Sequence, residues 1–249
     1  MNKQVSTGHK AILATLFWVA VWSALASVMD NPLLLPTPLQ VLRRLGELAL
    51  TGDFWIKTAV SIGRICLGVV LAVTLGVVLA VLASASSIMD ALIQPVMTVM
   101  KATPVASFTI LVLLWIDRNW IPVLICAMMV LPVIYASVSG GIRAVDKQLL
   151  EMARAYRLPP MRVLRRIYVP SVLPFFRAAC SSALGLGWKA GIAAEVLTVP
   201  RESIGRMISE AKLYVLTEDL FAWTLMVVLL SLLLQNLMLR ILKGRDSHA

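Results

Sequence analysis

Six apolar stretches of roughly twenty residues run through this chain, and nothing in the sequence constrains the fold more. A run of that length satisfies its own backbone hydrogen bonds as a helix while crossing a hydrocarbon core of about 30 Å. The stretches cover residues 11–29, 62–83, 95–116, 120–140, 172–199 and 220–242. A water-soluble core of 249 residues could not hide so much apolar surface, since 59% of the chain is hydrophobic, 14% is charged and the mean hydropathy is +0.87. The sequence predicts an all-α, polytopic membrane protein of about six transmembrane helices, organised as one domain over residues 1–249. No internal repeat or low-complexity tract divides it.

The connections between these runs are uneven. Only Asp117, Arg118 and Asn119 separate the third and fourth runs, which predicts a tight hairpin at one membrane face. Residues 30–61 contain Leu35-Pro36-Thr37-Pro38, followed by a predicted surface helix over residues 39–50. Residues 141–171 carry Arg143, Lys147, Arg154, Arg157, Arg162, Arg165 and Arg166 against Asp146 and Glu151. Cytoplasmic loops collect such an excess, so this loop is expected in the cytoplasm. With an even number of spans both termini lie on the same side, and Lys3, Lys10, Arg240, Lys243 and Arg245 agree. Arg43, Arg44 and Lys57 in the first outer loop run against the rule, although Glu47 and Asp53 partly offset them. A helix lying on lipid headgroups accommodates such side chains.

The net charge of +10 has the same origin, because anionic lipid attracts basic residues at cytoplasmic edges. Nucleic acid is therefore not an expected partner, whereas the lipid bilayer of the inner (plasma) membrane is. Lys10 before an apolar core and the small-residue spacing of Ala24-Leu25-Ala26 invite comparison with a signal peptide. The run is longer than a usual signal core and lacks a polar region before that site, so an uncleaved first helix is expected.

The charged loop has its own local logic. Residues 145–156 contain neither Gly nor Pro and suit a helix, with Asp146 available as cap. Pro159 and Pro160 force a break, and a second helix over residues 161–168 is expected to end at Pro170. Helical spacing turns Met161, Leu164 and Ile167 inward and leaves Arg162, Arg165 and Arg166 outside.

Glu151, Ala153, Ile167, Val169 and Pro170 stand in register with the EAA loop of ABC importer membrane subunits, which this segment resembles. That pattern begins Glu-Ala-Ala, has Gly at its seventh position and closes Ile-x-Leu-Pro. Leu35-Pro-Thr-Pro38, Ser61-x-x-Arg64, Thr103-Pro104, and Trp188 with Ala194-Glu195 extend the resemblance to the nitrate/taurine/sulfonate branch of these permeases. The resemblance implies a type I importer permease fold with a cytoplasmic coupling helix. It assigns ATPase coupling to Glu151, Ala153, Arg154, Arg157 and Pro170. It also implies a second permease subunit in a homodimer, ATP-binding subunits and a substrate-binding protein. Two positions depart from the pattern: Met152 replaces the first Ala, and Arg157 replaces the Gly. Arginine reaches left-handed angles only at a cost, so the bend is expected to shift onto Leu158 and the prolines.

Polar residues inside the apolar runs are the candidates for a transport pathway, because a mid-membrane charge costs about 3 kcal/mol or more unless it faces protein or water. Lys101, Thr103 and Pro104 interrupt the third run; Trp188, Lys189 and Glu195 lie in the fifth, among small residues that permit close helix approach. Lys189 and Glu195 point about 120° apart on a helix and are expected to meet different neighbours, with Arg64 and Lys101 available to Glu195. A packing or snorkelling role for Lys189 and an ordinary proline bend at Pro104 stay open beside the pathway reading. The two lysines hint at an anionic solute. Cys66, Cys126 and Cys180 show no metal-ligand spacing and read as small packing residues.

The chain has no Gly-x-x-x-x-Gly-Lys-Ser/Thr loop, so ATP is expected to be used by a partner, with no cofactor or metal held here. Its histidines, His9 and His248, stand near the ends and no catalytic set is apparent. A permease subunit moving a small solute by alternating access is the expected function. A gradient-driven transporter with Glu195 as proton site, and a membrane enzyme using Glu195 and Lys189, are the alternatives.

Overall fold

Small residues on three long helices set the centre of the molecule. In the computed structural model, which describes the backbone of residues 2–31 and 33–243, α3 (Gly52–Ala85), α6 (Ile121–Arg143) and α9 (Val169–Thr198) pack side by side with α6 in the middle. A Cβ added to Gly68 would lie 2.7 Å from the carbonyl oxygen of Val123, and one added to Gly187 would lie 2.9 Å from Cys126 Sγ. Only hydrogen at these positions lets α3 and α9 close on α6, as in membrane bundles where dispersion between close backbones replaces the hydrophobic effect. Ile65, Val69, Val130, Ile134, Ala183 and Trp188 fill the seam.

The other helices are arranged around this trio. α1 (Asn2–Met29) is peripheral, tied by Trp22, whose Nε1 donates to the Pro36 carbonyl at 3.2 Å and whose ring lies 5.9 Å from that of Phe221. α2 (Pro38–Ala49) starts with a capping box between Thr37 and Gln40 and packs against α11 (Thr217–Lys243). α4 (Ser87–Ala102) and α5 (Val105–Val112) follow α3. α7 (Lys147–Ala155), α8 (Pro160–Val163) and a π-helical turn, Leu164–Tyr168, lead into α9, and α10 (Ile204–Leu213) follows it. Strands are absent among the described residues. Arg245 and His248 lie outside those residues, as do the side chains of Lys3, His9 and Lys243.

Five described helices or helix runs are long and apolar enough to cross a bilayer. The third predicted span is broken at its expected interruption, Lys101 to Pro104, into two pieces, α4 and α5, which meet at 103°. Pro104 lacks an N–H and disfavours the helical region for Thr103, which adopts φ −72° and ψ 124°. Counted as one broken span, the pair brings the total to six. The connection to α6 is correspondingly longer than the expected three-residue hairpin, because α5 ends at Val112 and Trp120 caps α6.

The expected stop at Pro170 is also corrected. Pro160 to Thr198 is one continuous run, and the π turn explains how. The Val169 N–H reaches back to the Leu164 carbonyl, an i→i+5 bond that widens the helix where Pro170 has no N–H to give. Of the cysteines, Cys126 and Cys180 are buried, whereas Cys66 is exposed on α3 and does not serve the interior packing expected of it.

Candidate functional site

The coupling-loop residues form one small unit. Asp146 caps α7 by accepting from the Gln148 N–H at 2.8 Å. The helix closes with the Leu158 N–H on the Ala153 carbonyl at 2.9 Å and the Arg157 N–H on the Arg154 carbonyl at 3.0 Å, a Schellman motif. Its left-handed residue is Arg157 itself, at φ 52°. The bend therefore stays where the family pattern has Gly instead of shifting to Leu158 and the prolines; the paired 6→1 and 5→2 bonds hold arginine in the less favourable region. Buried Ala153, Val145 and Ile167, with Leu158 and Val163 against them, fasten α7 to the π turn. Met161 and Leu164 are exposed, contrary to the inward facing expected of them, because the π turn changes the register and leaves Ile167 as the anchor.

Outside this cluster, α7 presents a free surface. Leu149, Met152 and Tyr156 are exposed at i, i+3 and i+7, flanked by exposed Glu151, Arg154 and Arg157. Pro170 is exposed at the start of α9, away from that stripe in sequence. Asp90 in the first turn of α4 accepts from Arg143 Nη2 at 3.0 Å and from the Tyr135 hydroxyl at 3.2 Å, which ties the same end of the bundle together.

Glu195 occupies a second, buried site at the opposite end. Its Oε2 accepts from Ser61 Oγ at 2.7 Å and from the Gly205 N–H at 3.2 Å, while Ser61 Oγ accepts from the Ile204 N–H at 2.9 Å. Arg64 Nη1 stands 3.7 Å from Oε1, which has no hydrogen bond of its own. Glu195 thus acts with Ser203 as the cap of α10, presenting negative charge to its positive N-terminus. Of the two neighbours expected for Glu195, Arg64 is the one present, and Lys101 is exposed at the end of α4. The Ile204 and Gly205 N–H groups escaped the sequence reading, since nothing in their spacing reveals that α10 folds back onto α9. The one available hint was glycine at position 205, where a Cβ would sit 2.2 Å from that of Glu195.

The other pathway candidates divide by facing. Trp188 is buried, with Nε1 donating to the Val227 carbonyl on α11 at 3.1 Å. Lys189 is exposed, in a stripe with Leu186, Ala193 and Leu197 that no other element covers among the described residues. Thr103 is half-buried and Pro104 exposed at the break between α4 and α5. The structure brings none of these to Glu195.

Around the buried carboxylate the ends of three helices form a polar rim. Asn119 Oδ1 accepts from the Arg201 N–H at 3.0 Å, and Arg64 Nη2 donates to the Arg201 carbonyl at 2.7 Å. Asp117 is held below the ordinary carboxylate range by the backbone and side-chain N–H groups of Asn119 and then by Arg118 and Arg201. The basic residues that dissented from the expected orientation are paired: Arg43 with Glu47, Arg44 with Asp219 and Glu47, and Lys57 with Asp53. Arg44 is thus engaged between α2 and α11 instead of resting on headgroups, and its guanidinium is held still more basic by Asp219.

Comparison with known proteins fits this architecture. The chain is 25% identical to SsuC of Bacillus subtilis (strain 168), named for the transport of aliphatic sulfonates, over 96% of this chain and 88% of that one. It is also 25% identical to the taurine transport system permease protein TauC of Escherichia coli (strain K12), over 98% of this chain and 90% of that one. A crystal structure of an amino acid ABC transporter with histidines shares the fold at a TM-score of 0.58 and 18% identity, covering 77% of this chain and 95% of that one. With residues 72–245 matching the family profile, a stretch that runs from the last part of α3 through α6, the charged loop, α9 and α10, the chain belongs to the binding-protein-dependent transport system inner membrane components.

Proposed function

We propose that this permease pairs with a second copy of itself and moves a small anionic solute between the two subunits by alternating access. Two ATP-binding subunits dock on its α7 helices, and a binding protein delivers the solute at the opposite face. ATP binding then favours one of two membrane arrangements by differential affinity. The observation that carries this reading is the free stripe of Leu149, Met152 and Tyr156 on a short helix whose other face is fastened by Ala153. An amphipathic helix with one face anchored and one bare is suited to sit in a groove of another protein and pass its motion to the helices it is fixed to.

On the orientation expected from the basic loop, α7 and both termini are cytoplasmic. α6 begins near Asn119 and ends at the coupling loop, so the Glu195 site is then external. Lys189 supports a pathway between subunits: a cation uncovered within the protomer is too costly against lipid and is accommodated by water or a partner. The relatives' names, aliphatic sulfonates and taurine, share a sulfonate group, which agrees with a solute that carries an anionic end. ATP chemistry belongs to the partner subunits on this reading, and Glu195, committed as the cap of α10, is not needed as a proton carrier.

The test is isolation of the chain from membranes in mild detergent, with identification of the proteins that accompany it. An ATP-binding subunit is expected with the wild type and in much lower amount with Glu151→Lys, which reverses a charge beside the bare stripe. A protein that emerges without an ATPase, under conditions that keep known importers intact, overturns the proposal.

A further inference from the structure

At the end of the bundle opposite α7, Asp117, Arg118, Asn119, Val199, Arg201 and Arg206 line a half-open polar cavity of about 530 Å³. That volume falls within the roughly 300–1,000 Å³ usual for ligand pockets, yet the lining is almost wholly polar. Three guanidinium groups stand against one carboxylate. Arg206 is partly committed to Glu210 at 2.6 Å, whereas Arg118 and Arg201 form no ion pair among the described residues. Glu202, next to Arg201, also bears on Arg206.

The cavity is held in place by groups other than its own cations. Asn119 Oδ1 takes the Arg201 N–H, and Arg64 donates to the carbonyls of Arg201 and Glu202 at 2.7 and 3.3 Å. Asn119 Nδ2 donates to Asp117 Oδ1 at 2.8 Å, which fixes the second wall. Val199 and Glu202 adopt left-handed backbone, φ 49° and 50°, a conformation that β-branched valine enters only when its surroundings impose it. Two strained residues thus flank Arg201, and the loop that carries it is built around the cavity. The neighbouring basic residues of this end, Arg43, Arg44 and Lys57, each have a carboxylate within reach. Arg118 and Arg201 share Asp117 as a nearby carboxylate but make no close ion pair among the described residues, in a place where outward-facing loops ordinarily carry few cations.

We propose that this cavity is an oxyanion site at the outer mouth, in which Arg118 and Arg201 take the charged end of a small organic sulfonate or carboxylate before it enters the pathway. The proposal rests on the permease reading and its orientation. Guanidinium presents paired donors in a plane that match two oxygens of such a group, and Arg206 supplies further positive potential. An uncharged solute has nothing to gain there, and a large apolar one finds only Val199 to touch.

The experiment titrates ethanesulfonate into the purified full-length chain by calorimetry, with neutral ethyl methyl sulfone as the probe of matching shape. Binding of ethanesulfonate alone is expected, weakened roughly tenfold to a hundredfold in an Arg118→Gln/Arg201→Gln variant. The Arg118→Lys/Arg201→Lys variant should fall between, since it keeps the charge and loses the fork. Unchanged thermal midpoints and unchanged capture of the ATP-binding subunit show that the variants are intact. The proposal is overturned if wild type does not bind ethanesulfonate, if the glutamine variant binds it equally, or if the sulfone binds as well. It also falls if phosphatidylglycerol in nanodiscs displaces the probe where phosphatidylcholine does not, which marks a lipid headgroup site. Loss of binding-protein capture in the glutamine variant with unchanged ethanesulfonate affinity marks a docking surface and overturns it too. The permease reading fails separately, by absence of the ATP-binding subunit from the wild-type preparation.

Discussion

Glu195 is a buried carboxylate on which three helices converge. Through it α3, α9 and α10 share one set of hydrogen bonds, with Ser61 as the relay and Arg64 as the counter-charge. Removing the carboxylate strands the Gly205 N–H and the Ser61 hydroxyl, and leaves a mostly buried guanidinium without its partner. Breaking one side of a buried pair costs about 3–5 kcal/mol, far more than the pair contributes as a whole. Glu195→Ala is therefore expected to lower the thermal midpoint in detergent severely. Glu195→Gln, which retains an acceptor for Ser61, should lose only about 1–3 kcal/mol. Melting of the alanine variant at the wild-type temperature shows that the site does not lock these helices. Arg64 could be named as a neighbour from the sequence because an intramembrane carboxylate requires one. Gly205 could not, since its role depends on a chain reversal at residues 199–203 that leaves no periodic signal.

At the scale of the element, α7 shows how a local rule can be broken without changing the shape it serves. Arg157 occupies the left-handed position of a Schellman closure, where an L-residue costs about 1–2 kcal/mol and glycine is free of that penalty. Arg157→Gly should then stabilise the loop by up to about 1 kcal/mol, the entropy of the more flexible unfolded glycine offsetting part of the relief. The expected readout is slower proteolysis between α7 and α8 in membranes, with the fold unaltered. Faster cleavage shows that the arginine side chain holds the loop through contacts that outweigh its backbone. The helices on either side were legible because periodicity and Asp146 mark them. The π turn was not: Pro170 reads as a stop, and only the i→i+5 bond at Val169 shows how a helix carries a proline through its first turn. The break at Thr103-Pro104 belongs to the same class, since sequence marks the place of a proline bend but not its 103°.

For the molecule as a whole, the decisive asymmetry is between faces that the protomer covers and faces that it leaves bare. α6 is buried on nearly every side, while α9 turns Leu186, Lys189, Ala193 and Leu197 outward in one line. Lipid would accept the aliphatic members of that line and reject the lysine, so the line as a whole is suited to a wet boundary with a second subunit. α1 is the opposite case, a peripheral helix whose exposed Leu13, Phe17 and Trp18 suit hydrocarbon. The two faces are distinguished by replacing Ala193 or Leu13 with cysteine in a background lacking Cys66, Cys126 and Cys180, and exposing membranes to a charged, membrane-impermeant methanethiosulfonate. Modification is expected at Ala193→Cys and not at Leu13→Cys. Its rate should change when ATP is trapped on the partner subunits, because the proposed pathway opens along that line to one side of the membrane at a time. Equal inertness of both positions places the α9 stripe against lipid or a dry interface. The cost of Lys189 must then be met by a partner side chain, and the pathway must run elsewhere in the bundle.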